Sequence, residues 1–170
     1  MDGINKQLKT DAAPKFTHKE YAVQVKPDGV HFAGGIVFTG NSIVNHLSGC
    51  VRCAVLAATL GHGVDQALRR LQYADMADAL LYDAAANALM EQVCDEAQKQ
   101  IAESAGMRGF STTARFSPGY GDFSLAHQPA ILKLSGASKE LGIVLSENGL
   151  MLPQKSVTAV IGLRGNAIIK

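Results

Sequence analysis

The stretch Arg115-Phe116-Ser117-Pro118-Gly119-Tyr120-Gly121-Asp122-Phe123 separates a long helical region from a tail rich in strand-forming residues. Pro118-Gly119 is typical of a turn, because proline fixes φ at the first central position and glycine accepts a positive φ at the next. A turn leaves backbone N–H and C=O groups unpaired, where a ligand can meet them. Arg115 adds a planar cation suited to a carboxylate, and Tyr120 adds an aromatic face. Two interpretations stay open: an ordinary surface turn, or a binding loop for a small zwitterion that carries a flat base.

The length and charge of the chain exclude several classes of protein. Its 170 residues are enough for one domain with a sizeable core. The formal net charge of +1 argues against nucleic-acid binding, which needs a clustered excess of Lys and Arg. No apolar run approaches the length of a membrane span, and the first residues resemble neither a signal peptide nor a transit peptide. We therefore expect a cytoplasmic protein that binds neither nucleic acid nor membranes.

Cys50 and Cys53 form a C-x-x-C pair among the three cysteines of the chain. Such a pair can serve in redox chemistry or as half of a zinc site. Zinc needs four ligands, and the sequence offers no second C-x-x-C and no nearby histidine pair. Free cysteines are commonly small buried side chains, which is what we expect here.

Short strands are predicted on both sides of a helical middle region. Residues 1–15 show no hydrophobic period, which predicts a flexible N-terminal tail before a single domain at residues 16–170. Residues 21–25 alternate in polarity and lead into the turn Pro27-Asp28-Gly29, which predicts a hairpin with residues 30–32. Residues 51–59 are nearly all apolar and predict a buried strand.

A long helix is predicted over residues 74–105. Its apolar positions follow helical spacing and are Ala77, Leu80, Leu81, Ala84, Ala85, Ala88, Leu89, Val93 and Ala97. The many alanines let neighbouring backbone approach closely. Further strands are predicted at residues 141–145 and 156–163. The order of strands, helical middle and strands predicts an α+β fold, with a twisted antiparallel sheet around a long central helix.

Asp83, Asn87, Glu91 and Asp95 recur every four residues and so form one polar row along this helix. No lysine alternates with them. The row is either a solvated face that tolerates like-charge repulsion, or a set of side chains of which one or two reach a ligand site.

Gly61-His62-Gly63 opens another predicted helix, and a Gly-x-Gly loop before a helix N-terminus can bind phosphate. The third glycine of a dinucleotide motif is replaced by Gln66. A nucleotide-binding enzyme is therefore a minor alternative.

The ordered motifs resemble the S-adenosyl-L-methionine (AdoMet)-binding activation domain of cobalamin-dependent methionine synthase, in its free-standing short form. Arg115, Gly119 and Tyr120 match the Arg-x-x-x-Gly-Tyr motif of that family. Further matches within about residues 45–163 are Ala57-Ala58-Thr59-Leu60-Gly61, Asp75-Met76, Asp83-Ala84-Ala85-Ala86, Gly121-Asp122-Phe123-Ser124-Leu125, Gln128, Leu145-Ser146-Glu147-Asn148, Met151, Pro153 and Ser156-Val157. The chain departs from the family at Ala159, where a glycine is expected, and at Asn87, which stands in place of an AdoMet-binding glutamate.

The resemblance implies a function in reactivation. The chain would bind AdoMet and present it for reductive methylation of cob(II)alamin, restoring methylcobalamin. It would be a component of the methyltransferase in methionine biosynthesis rather than a stand-alone catalyst. The implied partners are a cobalamin-binding methionine synthase subunit or another corrinoid protein, and a reductase such as a flavodoxin-like electron donor. The alternative is a non-catalytic docking module for a corrinoid protein or methyltransferase that has lost AdoMet binding.

The resemblance also assigns roles to residues. Arg115 would bind the AdoMet carboxylate, and the backbone of Pro118-Gly119-Tyr120 would contact adenine or ribose. Ser117 is a further cofactor-binding candidate. The ring of Tyr120 would lie near the sulfonium. The amino group or a ribose hydroxyl would be bound by Glu91 or Asn87, with Glu147 as a further cofactor-binding candidate. A helix is predicted from Ser124, its expected cap, to about Leu134, and Asp122 is a further candidate for capping it.

Overall fold

A six-stranded antiparallel sheet organises the chain, of which the computed structural model describes residues 2–165. The strands are β1 (Lys15–Lys26), β2 (Gly29–Phe32), β3 (Val37–Phe38), β4 (Arg52–Thr59), β5 (Phe110–Thr112), β6 (Val144–Leu145), β7 (Met151–Leu152) and β8 (Ser156–Gly165). The order across the sheet is β3-β2-β1-β4-β8-β5, while β6 and β7 pair separately. The last long strand of the chain is therefore inserted between β4 and β5.

Besides a short 3₁₀ helix (Leu125–His127), six α-helices pack on the sheet or on one another within the described residues. They are α1 (Asp2–Asp11), α2 (Asn41–His46), α3 (His62–Ala74), α4 (Met76–Met107), α5 (Gln128–Ser135) and α6 (Ala137–Leu141). Helix α4 packs on the face that carries Ala54 and Leu56, whereas α2 and α5 pack on the face that carries Cys53 and Val55. The predicted α+β fold with an antiparallel sheet and a long central helix is confirmed.

Strand β4 lies at the middle of the sheet because both of its faces are apolar. Every residue from Cys53 to Thr59 is buried, which confirms the buried strand predicted from the continuous apolar run. The predicted hairpin is confirmed as well: Lys26 pairs with Gly29, so Pro27 and Asp28 form a two-residue turn between β1 and β2.

The buried face of α4 differs from the face predicted from its alanines and leucines. The residues that are buried are Ala79, Tyr82, Ala86, Met90, Cys94, Ala97, Ile101 and Ala105. Leu80 and Leu81 are 66% and 47% exposed instead. Alanine occurs on several sides of this helix and marks none of them strongly. The large side chains of Tyr82, Met90 and Ile101 therefore decide which side faces the core.

The expectation of a flexible tail over residues 1–15 is wrong for the residues that the structure describes. Helix α1 packs against α3 and α4, with Leu8 only 5% exposed. The hydroxyl of Tyr82 donates to the carboxylate of Asp11 at 3.0 Å, and the Ala13 amide donates to the Leu60 carbonyl at 2.8 Å. These are tertiary contacts, and the few apolar residues of this polar segment give no recognisable pattern that would predict them.

The Gly61-His62-Gly63 loop does open a helix, since α3 begins at His62. Its second glycine faces the end of α1, however. A Cβ atom on Gly63 would lie 2.2 Å from the Asp11 carbonyl oxygen, so only glycine allows this approach. The loop glycine is explained by packing, and the phosphate-binding interpretation loses its support.

Cys50 and Cys53 are both buried and have free thiols, as expected. Burial raises the pKa of both thiols. Within residues 2–165, no group of three His, Cys, Asp or Glu side chains lies close enough together to hold a metal ion. None of the helices in this part of the chain is long and apolar enough to cross a membrane.

Candidate functional site

The main cleft opens at the edge of β8, where β5 leaves the sheet. After β5 the chain makes one further bridge to β8, in which Phe116 and Val160 exchange both backbone hydrogen bonds at 2.9 and 2.8 Å. Two residues later comes Pro118, which has no N–H and cannot extend the ladder. The edge of β8 from Ser156 to Thr158 is thereby left open. Helix α4 borders the cleft on one face of the sheet, and α5 borders it on the other.

The cleft has a volume of about 510 Å³, a size typical of small-molecule sites. Its walls come from four separate stretches. They are α4 (Glu91, Cys94, Gln98), the loop after β5 (residues 114–118 and Tyr120), the 3₁₀ helix with the start of α5 (Leu125, Gln128) and the β7–β8 region (Met151, residues 156–158).

Arg115 lies against the α4 wall and is paired there with two carboxylates. Its Nη1 donates to Asp95 Oδ1 at 2.8 Å, and its Nη2 donates to Glu91 Oε2 at 3.1 Å. The arginine side chain is 19% exposed, whereas Glu91 and Asp95 are 69% and 73% exposed. Both carboxylates are well solvated, so these pairs are weak enough to be exchanged for a ligand carboxylate.

The loop that follows Arg115 is fixed by two glycines. Gly119 has φ +98° and its amide donates to the Phe123 carbonyl at 2.7 Å, which closes the loop on itself. Gly121 has φ +54° and lies directly against α2, where a Cβ atom would come within 2.2 Å of the Ser42 hydroxyl. Gly119 and Gly121 are therefore required by the shape of the loop and by its contact with α2.

Asp122 ties the same loop to α2 rather than capping the helix that follows it, which corrects the expectation. Its carboxylate accepts hydrogen bonds from the backbone N–H groups of Asn41 and Ser42, each at 2.7 Å. These bonds stabilise the charged form and lower the pKa of Asp122. The cap predicted at Ser124 is confirmed: its hydroxyl accepts from the Ala126 amide at 3.1 Å, at the start of the 3₁₀ helix that leads into α5.

A stack of aromatic rings supports the loop from behind. The centroid of the Phe116 ring lies 4.6 Å from that of the His46 ring and 6.0 Å from that of the Phe123 ring. The ring of Tyr120 lies 6.0 Å from Phe116 and is 64% exposed. Tyr120 is thus held at the mouth of the cleft with most of its surface open.

The polar row on α4 is paired with two cations from other elements. Besides Arg115, the ammonium group of Lys155 lies 2.7 Å from Asp83 Oδ1 and 2.7 Å from Asn87 Oδ1. Asn87 lines a second cleft of about 390 Å³, which adjoins the first and shares Glu91 with it. The row is therefore not a free solvated face, because each of its members is engaged across the groove.

The structure brings most of the predicted site residues together. Arg115, Ser117, Tyr120 and Glu91 line the main cleft, and Asn87 lines the adjoining one. Gly119 shapes the loop between them. Glu147 is exposed in the turn between β6 and β7 and is not among the residues that line either cleft. Their roles in binding remain predictions.

Gln128, Met151 and Thr158 are among the cleft residues that were not predicted as site residues. Gln128 is 6% exposed; its Nε2 donates to Thr158 Oγ1 at 2.8 Å and lies 3.1 Å from Met151 Sδ. Its Oε1 is buried and has no hydrogen-bond partner among the described residues. Gln128 and Met151 belong to the sequence motifs that match the family, but a sequence match alone does not show that their side chains face the cleft.

Cys94 is the one thiol at the cleft wall among the described residues. Burial raises the pKa of this thiol to about 11, against the opposing influence of the Arg115 charge. The thiol is therefore protonated at neutral pH and is a poor nucleophile.

No protein-family model matches the chain, and no curated protein matches it either. Among solved structures, the chain is similar to one described as the crystal structure of the MetH reactivation domain bound to AdoHcy, with a TM-score of 0.72 and 16% sequence identity. The match covers 95% of this chain and 63% of that one, so the chain spans less than two thirds of the matched structure. The chain therefore has the fold of the MetH reactivation domain, as the sequence resemblance predicted.

Proposed function

We propose that this chain binds AdoMet in the main cleft and presents its methyl group to a corrinoid held by a partner protein, as an activation component of cobalamin-dependent methionine synthase. One observation carries the proposal: Arg115, Ser117 and Tyr120 of the loop line a single cleft together with Glu91 of α4. A cation and an anion thus lie side by side in a space of about 510 Å³. The structurally similar MetH reactivation domain, which is bound to AdoHcy, gives independent support.

The amino-acid end of AdoMet is a zwitterion that suits the Arg115–Glu91 pair. The ligand carboxylate would take charge-assisted hydrogen bonds from Arg115, and the ligand ammonium would donate to the Glu91 carboxylate. One ion pair within the chain is then replaced by two pairs between chain and ligand. Asp95 gives up its bond to Arg115 in this exchange, but its side chain is 73% exposed and its carboxylate can be hydrated instead.

The reactive end of AdoMet would lie at the mouth of the cleft. Tyr120 and Leu125 are 64% and 66% exposed there and leave room for a large planar partner. The face of Tyr120 would stabilise the sulfonium by about 1 kcal/mol. When present, the corrinoid would supply the cobalt nucleophile that accepts the methyl group, with the electron coming from a flavodoxin-like reductase. The chain itself would position the methyl donor, and the protonated Cys94 thiol would not compete for it.

Calorimetric titration with AdoMet and AdoHcy tests the proposal. We expect the unaltered chain to bind both, and Arg115→Ala to weaken binding at least tenfold, since hydrogen bonds to charged groups contribute about 1.5–3 kcal/mol. The fold should be preserved, because the two carboxylates left behind are largely exposed. Arg70→Ala is the matched control, since Arg70 is exposed on α3 away from both clefts. Unchanged affinity in Arg115→Ala would refute the site.

A docking module without AdoMet binding is the second candidate. It is favoured by the internal pairing of Arg115 with Glu91 and Asp95, and of Asn87 with Lys155, because these groups are satisfied without a ligand. On this reading, titration with millimolar AdoMet or AdoHcy would produce no heat. The chain would still bind a corrinoid protein through the exposed surface around Tyr120 and Leu125. Heat that saturates with either ligand would reject this candidate.

A further inference from the structure

The amide of Gln128 is a buried polar group of the main cleft with an unused acceptor. Both contacts of its Nε2, to Thr158 and Met151, orient the amide. They leave Oε1 without a donor among residues 2–165. Buried side-chain oxygens nearly always have a hydrogen-bond partner, so an unpaired oxygen at the wall of a cleft indicates that a ligand supplies the donor. The missing partner must carry an N–H or O–H group.

The open edge of β8 places two backbone groups beside this amide. Val51 donates to the Leu163 carbonyl and Leu60 donates to the Lys155 carbonyl, so the odd-numbered residues of this region face β4. Residues 160 and 162 form backbone bonds on the opposite edge, to Phe116 and Thr113. Backbone groups alternate between the two edges of a strand, so the N–H and C=O of Thr158 point away from β4, toward the loop that follows β5.

Pro118 stands where the next rung of the ladder would fall, two residues beyond Phe116. It has no N–H to offer to the Thr158 carbonyl. No backbone or side-chain hydrogen bond to the Thr158 backbone on this side is found within the described part of the chain. The cleft therefore presents a donor and an acceptor from Thr158, together with the acceptor from Gln128.

We propose that Gln128 and the Thr158 backbone form a subsite for a 6-aminopurine, the base of AdoMet. This inference rests on the proposed function. The 6-amino group carries two N–H donors for the two acceptors, and the adjacent ring nitrogen is an acceptor for the Thr158 N–H. A 6-oxopurine would instead turn a carbonyl oxygen toward the acceptors and be rejected, because the site's buried acceptor stays unpaired.

Met151 is the side chain that we expect to move when the base enters. In the ligand-free chain the Gln128 oxygen is closed off from solvent. Met151 both contacts the Gln128 amide and lines the cleft. Its unbranched side chain has several accessible rotamers, so it can be displaced from the amide.

Two ligands that differ at one position of the base provide the test. AdoHcy and its 6-oxo analogue, S-inosylhomocysteine, are titrated calorimetrically against the unaltered chain, Gln128→Leu and the control Gln100→Leu on the exposed side of α4. We expect the unaltered chain and Gln100→Leu to prefer AdoHcy at least tenfold. Gln128→Leu should lose most of that preference through weaker binding of AdoHcy.

The possible outcomes separate this inference from the proposed function. Equal binding of the two ligands by the unaltered chain would overturn the inference and leave the proposed function standing. This comparison does not depend on whether any variant folds. An unchanged preference in Gln128→Leu would also overturn it. If neither ligand binds the unaltered chain, the proposed function fails and the base subsite fails with it.

Discussion

Asp95 should restrain ligand binding rather than support it. Its carboxylate accepts from Arg115 Nη1 at 2.8 Å, yet Asp95 is not among the residues that line the main cleft. A ligand carboxylate that binds the same guanidinium must therefore compete with Asp95. Asp95→Asn keeps the shape of the side chain and removes its charge, so it isolates this competition.

The size of the effect follows from exposure. Asp95 is 73% exposed, and ion pairs of this kind contribute about 0.2–1 kcal/mol. AdoMet binding must break this ion pair and so loses its free energy. Removing the Asp95 charge should therefore tighten AdoMet binding about 1.4- to 5-fold, since about 1.4 kcal/mol corresponds to a tenfold change. Because the pair is solvated, the gain should shrink as salt screens it.

Calorimetric titration of the unaltered chain and Asp95→Asn with AdoMet, in dilute buffer and in concentrated salt, measures both effects. Glu96→Gln is the control for the change in net charge, because Glu96 lies next along α4 and bonds only Gln100 among the described residues. Weaker binding by Asp95→Asn would refute the reasoning and show that Asp95 holds Arg115 in its binding position. An equal gain in AdoMet affinity in Glu96→Gln would show that the effect comes from the change in net charge and not from the Asp95–Arg115 pair.

Two further predictions concern stability. The two hydrogen bonds that Arg108 donates, together with one from Arg52, lower the pKa of Glu20 to about 2 from an ordinary value of 4.5. A lowered pKa means that these bonds stabilise the fold above about pH 4.5 and cease to do so as the pH falls toward 2. Urea denaturation should therefore show Glu20→Gln less stable than the unaltered chain at pH 7, with the difference closing in acid; a difference independent of pH would contradict the assignment. Gly121→Ala should cost about 1–3 kcal/mol, because it combines a left-handed φ with a clash against Ser42. Adding Ser42→Gly should recover part of that loss in the same denaturation assay, and no loss in the single variant would show that the loop is not tied to α2 as described.

The sequence was most informative where local pattern and turn chemistry agree. The apolar run of β4, the Pro27-Asp28 turn and the matched Arg115–Tyr120 motif each correspond to the element or cleft wall expected from them. Each depends on a few consecutive residues whose geometry is limited by proline, glycine or continuous burial. For such segments the local preference and the tertiary structure favour the same conformation.

Features that depend on distant partners could not be predicted in this way. Helix α1 is held by contacts with Tyr82 and Leu60, more than forty residues away. The acidic row on α4 appeared to lack cations because Arg115 and Lys155 come from other elements. Gln128 can be identified as a site residue only from the tertiary structure, in which Thr158 lies beside it.

The position of β8 has a consequence for the order in which the site can form. The loop from Arg115 to Tyr120 is synthesised well before β8, yet its bridge partner Val160 and the Ser156–Thr158 wall belong to that last strand. Until β8 inserts between β4 and β5, the binding loop has no sheet to lie against. A nascent chain that ends before residue 156 would carry every residue of the Arg-x-x-x-Gly-Tyr motif and still have no cleft. During synthesis the cleft therefore cannot be completed before residues 156–160 have been added to the chain.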